Sequence, residues 1–216
     1  MGSLFPYVPR FSIEIEQNIR EKRSMEEDRI LVIHPTRSSL EDLDLLYYDK
    51  DVDFEDDYSS TSKIRRQIME HKIILLLGDG NSNGLRAKIS KTNSKGERRF
   101  VGPEYAQFLR NKEIIGIFNE SRFFAAKYNL TGLFVDDLIF SQERARQEFI
   151  NIDQTRLDLH KYEWCLNLAN LLKEHQPYAV PAHMKKLGKD KEMFEKLNYS
   201  SLVYLIEGRD SDTLTY

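Results

Sequence analysis

The fold is decided by the segment KIILLLGDGNSNGL, residues 72–85. Its first half is a continuous apolar run, which is typical of a strand that is buried on both faces of a parallel sheet. Its second half is rich in Gly, Asn and Ser, the residues that form turns. We therefore predict a buried strand over residues 72–77 that ends in a polar loop.

Similar patterns lie on both sides of this segment. RILVIH at 29–34 and EIIGIF at 113–118 are short apolar runs, and each is followed by turn-forming residues. Amphipathic helices are predicted between the strands, for example KIRRQIMEH after the capping residues 60–62, and a long helix over 153–175. The core-facing residues predicted for the long helix are Leu157, Tyr162, Trp164, Leu168 and Leu172. Strands alternating with helices predict an α/β fold with three layers, in which helices cover both faces of a mostly parallel central sheet.

Smaller elements complete this prediction. Short strands are expected within DKDVDFEDD and TGLFVDDL, a hairpin over residues 85–102, and a last strand over 201–206. The 216 residues favour one core, which we place at 29–210, preceded by a charged appendage at 1–28 and followed by a tail at 211–216.

The amino-acid composition limits the classes of binding partner and the cellular compartment that we expect for this protein. The net charge of −3 does not indicate binding to nucleic acid. No apolar run approaches the roughly 20 residues that span a bilayer, so no membrane partner is expected. Cys165 is the sole cysteine, which excludes a disulfide within the chain and favours a reducing compartment. We therefore expect a cytoplasmic protein; its oligomeric state does not follow from the sequence.

Ligand sites of parallel sheets lie outside the carboxyl ends of the strands. This rule directs attention to His34, Asp79 and the pair Asn119-Glu120. A histidine at a strand end is more often a hydrogen-bonded structural residue than a catalytic base. The loop GDGNSNG lacks the spacing and the lysine of a phosphate-binding loop, so an ordinary turn is favoured. A sensor of nucleotides or small molecules is a weaker reading, because the nearest basic residue is Arg86, just beyond the loop.

Carboxylates at these strand ends raise a second possibility. Asp79, Glu120 and Asp136 could together hold Mg²⁺ in a metal-dependent hydrolase or nuclease, provided that they converge. Aspartate is also common after strands simply because it caps the next turn. Cys165 lies within the predicted long helix, where a cysteine is usually a packing residue.

Taken in order, the strand-end segments resemble a family of uncharacterised bacterial caspase-like proteins with the clan CD cysteine peptidase fold. The similar segments are RILVIHP, KIILLLGDGNSNGL, IIGIFNESRFFAAKYNLTGLFVDDLIFS, IDQTRLDLHKYEWCLNLANLL and LNYSSLVYL, which cover most of residues 29–206. In that family a histidine after the third strand faces a cysteine after the fourth, and the imidazole activates the thiol.

The resemblance places Asp79 at the histidine position and Phe118 at the cysteine position. Gly78, Gly80, Gly84, Leu85 and Asn119 fit the surrounding pattern, whereas the two reactive side chains are absent. The resemblance therefore implies a domain without peptidase activity or cofactor that acts as a binding, regulatory or scaffold protein for a protein or peptide. The expected groove residues are Asp79, Gly80, Asn81, Asn83, Phe118, Asn119 and Glu120.

Overall fold

The computed structural model describes residues 29–35, 41–56, 59–88 and 97–211. The predicted appendage at 1–28 lies outside these residues, as does all of the predicted tail beyond 211. Side chains are described throughout these ranges except at 88, 97 and 98.

The described strands form one large sheet and one small sheet. In chain order they are β1 Ile30–Ile33, β2 Val52–Glu55, β3 Ile73–Leu77, β4 Gly80–Asn81, β5 Gly84–Lys88, β6 Glu97–Val101, β7 Glu113–Ile117, β8 Thr131–Val135, β9 Leu202–Ile206 and β10 Arg209–Asp210. The large sheet has seven strands in the order β10-β9-β8-β7-β3-β1-β2, and the small sheet has the order β4-β5-β6. From β2 to β8 the large sheet is parallel, while β9 and β10 are antiparallel additions at one side.

Helices lie on both faces of the large sheet, which confirms the predicted three-layer α/β fold. They are α1 Thr61–Glu70, α2 Ala106–Leu109, α3 Ser121–Tyr128, α4 Gln142–Gln147, α5 Gln154–Glu174, α6 Val180–Leu187 and α7 Met193–Ser200, with 3-10 helices at Glu41–Leu46, Pro103–Tyr105 and Pro177–Ala179.

Two apolar cores follow from the alternation of side chains along each strand. Val32 and Leu75 point to the face that α5, α6 and α7 cover, where Trp164 is fully buried. Leu31 and Ile74 point to the opposite face, which α1, α3 and the small sheet cover. The central strands therefore bury both faces, and this explains why they are apolar without interruption.

Capping residues set the starts of two helices, and the cap of α1 lies where the sequence indicated it. The Ser60 side chain accepts a hydrogen bond from the Lys63 backbone N–H at the start of α1. Asp153 does the same for the Arg156 backbone N–H at the start of α5. Each cap satisfies a backbone donor that the first helical turn leaves without a partner.

One local prediction is wrong. Tyr162 does not face the core, because its position on α5 leaves it 45% exposed while His160 and Cys165 are buried instead. Residues 177–187 form helical turns, and Pro181 lies in the first turn of α6, where proline is tolerated. The segment Glu41–Leu46 is a 3-10 helix that buries Leu43 and Leu46.

Candidate functional site

The carboxyl ends of β3 and β7 lie side by side in the sheet. The two strands are parallel neighbours with Leu77 opposite Ile117, and Gly78 donates its N–H to the Ile117 carbonyl at 3.2 Å. The predicted loop after Leu77 is therefore adjacent to the residues after Ile117. This is the sheet edge at which ligand sites of parallel sheets are found.

The loop after β3 folds into the small sheet. Gly80–Asn81 pairs with the start of β5, and the Arg86 N–H donates to the Asp79 carbonyl at 2.8 Å. Gly84 has a φ of +120°, and a Cβ there would lie 2.1 Å from the Val101 carbonyl oxygen. A glycine is thus required at this position for β5 to approach β6.

Phe118 is the cysteine position in the family resemblance, and its side chain is buried. Only 1% of it is exposed, and it packs edge-to-face against Phe124 with ring centroids 6.1 Å apart. A Cβ added to Gly80 would lie 2.4 Å from Phe118 Cδ2, so the small sheet covers the ring closely. The expectation that Phe118 lines an open groove is therefore wrong, because the side chain belongs to the core beneath the small sheet.

The polar residues predicted for the groove are more exposed than Phe118. Asp79 and Asn83 are exposed, and Asn81 is half-buried. The Asn81 side-chain oxygen accepts the Asn83 backbone N–H at 2.9 Å, which fixes the turn between β4 and β5. These residues present polar groups to solvent at the end of the central sheet.

The segment after β7 contributes two further predicted residues. Asn119 accepts the Leu138 N–H at 3.1 Å through its side-chain oxygen, so its carbonyl group has a structural role. Glu120 is exposed, with a φ of +61°, and its carboxylate accepts the Ser82 N–H at 2.9 Å. That backbone N–H lowers the pKa of the Glu120 carboxyl, and Arg144 and Arg86 lower it further. Glu120 thereby joins the loop after β3 to the segment after β7.

Asp136 is engaged by an arginine. Arg122 Nη1 donates to both oxygens of the Asp136 carboxylate, at 3.2 and 2.9 Å, and Arg122 Nη2 donates to Asp210 at 3.4 Å. Within the part of the chain that the structure describes, no three His, Cys, Asp or Glu side chains are grouped as a metal site would need. Asp79, Glu120 and Asp136 therefore do not converge as the alternative of a metal-dependent hydrolase requires.

Two further candidate residues, Cys165 and His34, are buried in the core. Cys165 is fully buried on α5, and burial raises the pKa of its thiol, whereas a nucleophilic cysteine needs a lowered pKa. His34 is also fully buried; its Nδ1 lies 3.3 Å from the Tyr47 hydroxyl and 3.4 Å from Asp44. Both residues are core components rather than accessible reactive groups.

One feature of the site escaped the sequence analysis. A polar cavity of about 220 Å³ opens beside the turn between β4 and β5. It is lined by Asn81, Asn83, Gly84, Arg86 and Arg99. The hairpin was predicted, but the partner of Arg86 across it depends on the strand register, and the sequence does not fix that register. Arg99 was therefore missed.

No family model matches the chain, and none of the curated proteins is detectably similar to it. Among the helices of the described residues, none combines the length and the apolar character needed to cross a membrane.

Proposed function

We propose that this chain is a catalytically degenerate caspase-like domain that acts as a binding, regulatory or scaffold protein. Its partner is a protein or peptide, and binding takes place at the carboxyl edge of β3 and β7. It needs no cofactor for this role, and we place it in the cytoplasm of a bacterium.

The observation that carries the proposal is the burial of Phe118. In the family resemblance this position holds the thiol that attacks a carbonyl group, which requires an accessible nucleophile. Here an aromatic ring fills the position and is 1% exposed beneath Gly80. Asp79 stands where the activating imidazole belongs, and a carboxylate cannot replace it.

The sole cysteine does not supply a substitute nucleophile. Cys165 lies in α5, within the core on the opposite face of the sheet from Phe118. Its side chain is fully buried. A substrate carbonyl therefore has no access to the thiol unless the core opens.

Features that favour binding remain at the same sheet edge. Asp79 and Asn83 are exposed, Asn81 is half-buried, and a cavity adjoins them. The small sheet ends in β6, whose outer side has no strand beside it within the described residues. An extended peptide can be added to such an edge through backbone hydrogen bonds.

A peptidase assay tests the absence of catalysis. The purified chain is incubated with a mixed pool of peptides, and new termini are identified by mass spectrometry. We expect no cleavage above a buffer control. Cleavage that disappears in both Phe118→Ala and Asp79→Ala would overturn the proposal, because it would show that this site turns over substrate. Arg209→Gln, an exposed substitution on β10, serves as the control for handling and purity.

A further inference from the structure

We propose that a hollow between α6 and α7 binds a small amphipathic carboxylate, that is, a free molecule with an apolar chain and one anionic group. The hollow has a volume of about 470 Å³. This value lies within the range of about 300–1,000 Å³ that is usual for small-molecule sites. The inference goes beyond the proposed function, because none of the residues that line the hollow belongs to the sheet edge of β3 and β7.

The walls of the hollow come from one side of each helix. Ala182, Lys185 and Lys186 line it with the three- and four-residue spacing that places side chains on the same side of α6. Lys196 and Ser200 line it from α7, where their four-residue spacing again places them on one side. Two helix faces therefore enclose this space.

A close contact between the two helices shapes the hollow. Gly188 caps the end of α6 and lines the hollow, and a Cβ there would lie only 2.5 Å from Tyr199 Cβ of α7. Tyr199 is fully buried, and its hydroxyl accepts a hydrogen bond from the Asn167 side chain at 2.7 Å. The end of α6 thus packs against a fixed ring, and the hollow is already formed without a ligand. A preformed site avoids the cost of ordering side chains on binding.

The lining combines apolar surface with positive charge. Most of the surface inside the hollow is apolar, whereas the charged residues that line it are all lysines, namely Lys185, Lys186, Lys189 and Lys196. Lysine stems cover apolar surface while their ammonium groups remain in water. A ligand that suits both properties has an apolar chain that replaces water in the hollow and an anionic group that meets the ammonium groups.

The carboxylates of the same region do not neutralise these lysines. Among the residues that the structure describes, no ion pair involves the ammonium group of a lining lysine. Asp190 is exposed and follows Lys189 directly, but one carboxylate neutralises only one of four lysines. The neighbouring glutamates contact groups outside the lining: Glu192 pairs with Arg156, Glu195 lies 3.5 Å from His160, and Glu163 pairs with Lys191 at 3.0 Å.

A structural role explains only part of this charge. Lys185 and Lys186 lie in the last turn of α6, where a cation stabilises the helix through its dipole. Lys196 lies in the middle of α7 and has no such role. If the lysines served only the helices, their removal would change stability and no ligand would saturate the hollow. Binding is therefore measured together with stability.

The probe is octanoate, titrated into the isotope-labelled full chain at constant ionic strength. Binding is followed through the NMR shifts of the backbone amides, and thermal unfolding is recorded with and without the probe. Octanol offers the same chain without the charge, and acetate offers the charge without the chain. We expect saturable shifts with octanoate, concentrated in residues 182–200, and binding of octanol and acetate that is weaker by roughly tenfold or more.

Variants separate the charge of the hollow from its space. Lys186→Gln combined with Lys196→Gln removes two charges and should weaken octanoate binding roughly three- to thirtyfold, since each exposed ion pair contributes little. Ala182→Trp fills the hollow, keeps all four lysines and should abolish saturable binding. Lys127→Gln is the matched control, because it removes an exposed lysine from α3 on the opposite face of the sheet. We expect it to bind octanoate as the wild type does.

Several results would overturn the inference. It fails if octanoate does not saturate, or if acetate or octanol binds as tightly, because the hollow would then attract any anion or any apolar molecule. It also fails if a folded Ala182→Trp retains wild-type affinity, or if Lys127→Gln weakens binding as much as the double variant does. Binding to phosphatidylglycerol vesicles without binding of octanoate would show a membrane-binding surface instead. The peptidase assay tests the proposed function independently of all these outcomes.

Discussion

Gly80 lies directly over the ring of Phe118: a Cβ at position 80 would be only 2.4 Å from Phe118 Cδ2 and 2.9 Å from the Gly84 carbonyl oxygen. The first residue of the small sheet and the residue after β7 are thus packed without space for a methyl group. This contact closes the position to which the proposed family resemblance assigns a nucleophile. The surface at the sheet edge is consequently formed by the small sheet rather than by Phe118.

Gly80→Ala tests this contact. We expect the substitution to lower the free energy of unfolding by about 1–3 kcal/mol, because the added methyl group overpacks the site. In a Phe118→Leu background the cost should fall by about 1 kcal/mol, since the smaller side chain can yield. Urea denaturation of the wild type, both single variants and the double variant measures this coupling.

Gly116→Ala is the matched control for Gly80→Ala. A Cβ at Gly116 would lie 2.8 Å from Phe134 Cδ1, so it meets a different aromatic ring of the same core. Its cost should be the same with and without Phe118→Leu. Equal costs of Gly80→Ala in the two backgrounds would show that the Gly80–Phe118 contact is not made in solution.

Glu120→Gln tests the link between the two sides of the site. The Ser82 N–H lowers the pKa of Glu120 in the folded chain. The stabilisation is therefore present above the unfolded pKa of about 4.3 and is lost as the pH falls through the folded value. At pH 7 we expect the free energy of unfolding of the wild type to exceed that of the variant by only about 0.2–1 kcal/mol, because Glu120 is exposed. The difference should decrease below about pH 5.

Unfolding curves at several pH values measure this difference directly. In addition, the Ser82 amide should exchange its hydrogen with solvent faster in Glu120→Gln than in the wild type, because the acceptor is neutral. A stability difference that grows as the pH falls would contradict the assigned direction of the pKa shift.

The sequence was sufficient for the parallel strands of the central sheet because their signals are local, whereas the short strands β4 and β10 were not predicted. The apolar runs at 30–33, 73–77 and 113–117 are bounded by turn residues, and each is a strand of the central sheet. The start of α1 followed from the capping residue Ser60, and the extent of α5 followed from its amphipathic pattern. Such features depend on a few neighbouring residues and on the period of the side chains.

The site was harder to predict because it depends on packing between distant segments. Phe118 is buried since the small sheet folds over it, and an apolar residue at a strand end does not reveal whether it will be covered. Arg86 and Arg99 meet because of the hairpin register, and a shift of one residue would have placed their side chains on opposite faces. The error at Tyr162 has a similar cause: several faces of an amphipathic helix can satisfy the same apolar pattern.

The most direct test of a degenerate peptidase scaffold is to restore the dyad. Asp79→His is combined with Phe118→Cys, and the rate at which iodoacetamide modifies position 118 is measured against pH, with Phe118→Cys alone as the control. Peptide mass spectrometry separates this modification from that of Cys165. Cysteine is smaller than phenylalanine, so in both variants it leaves open the space that the Phe118 ring fills beneath Gly80, and the reagent can enter there. We expect the introduced thiol of the double variant to react at a lower pH than that of the control, because a neighbouring imidazole stabilises the thiolate. Identical pH profiles in both variants would contradict the proposal, since positions 79 and 118 would then not face each other as a dyad must.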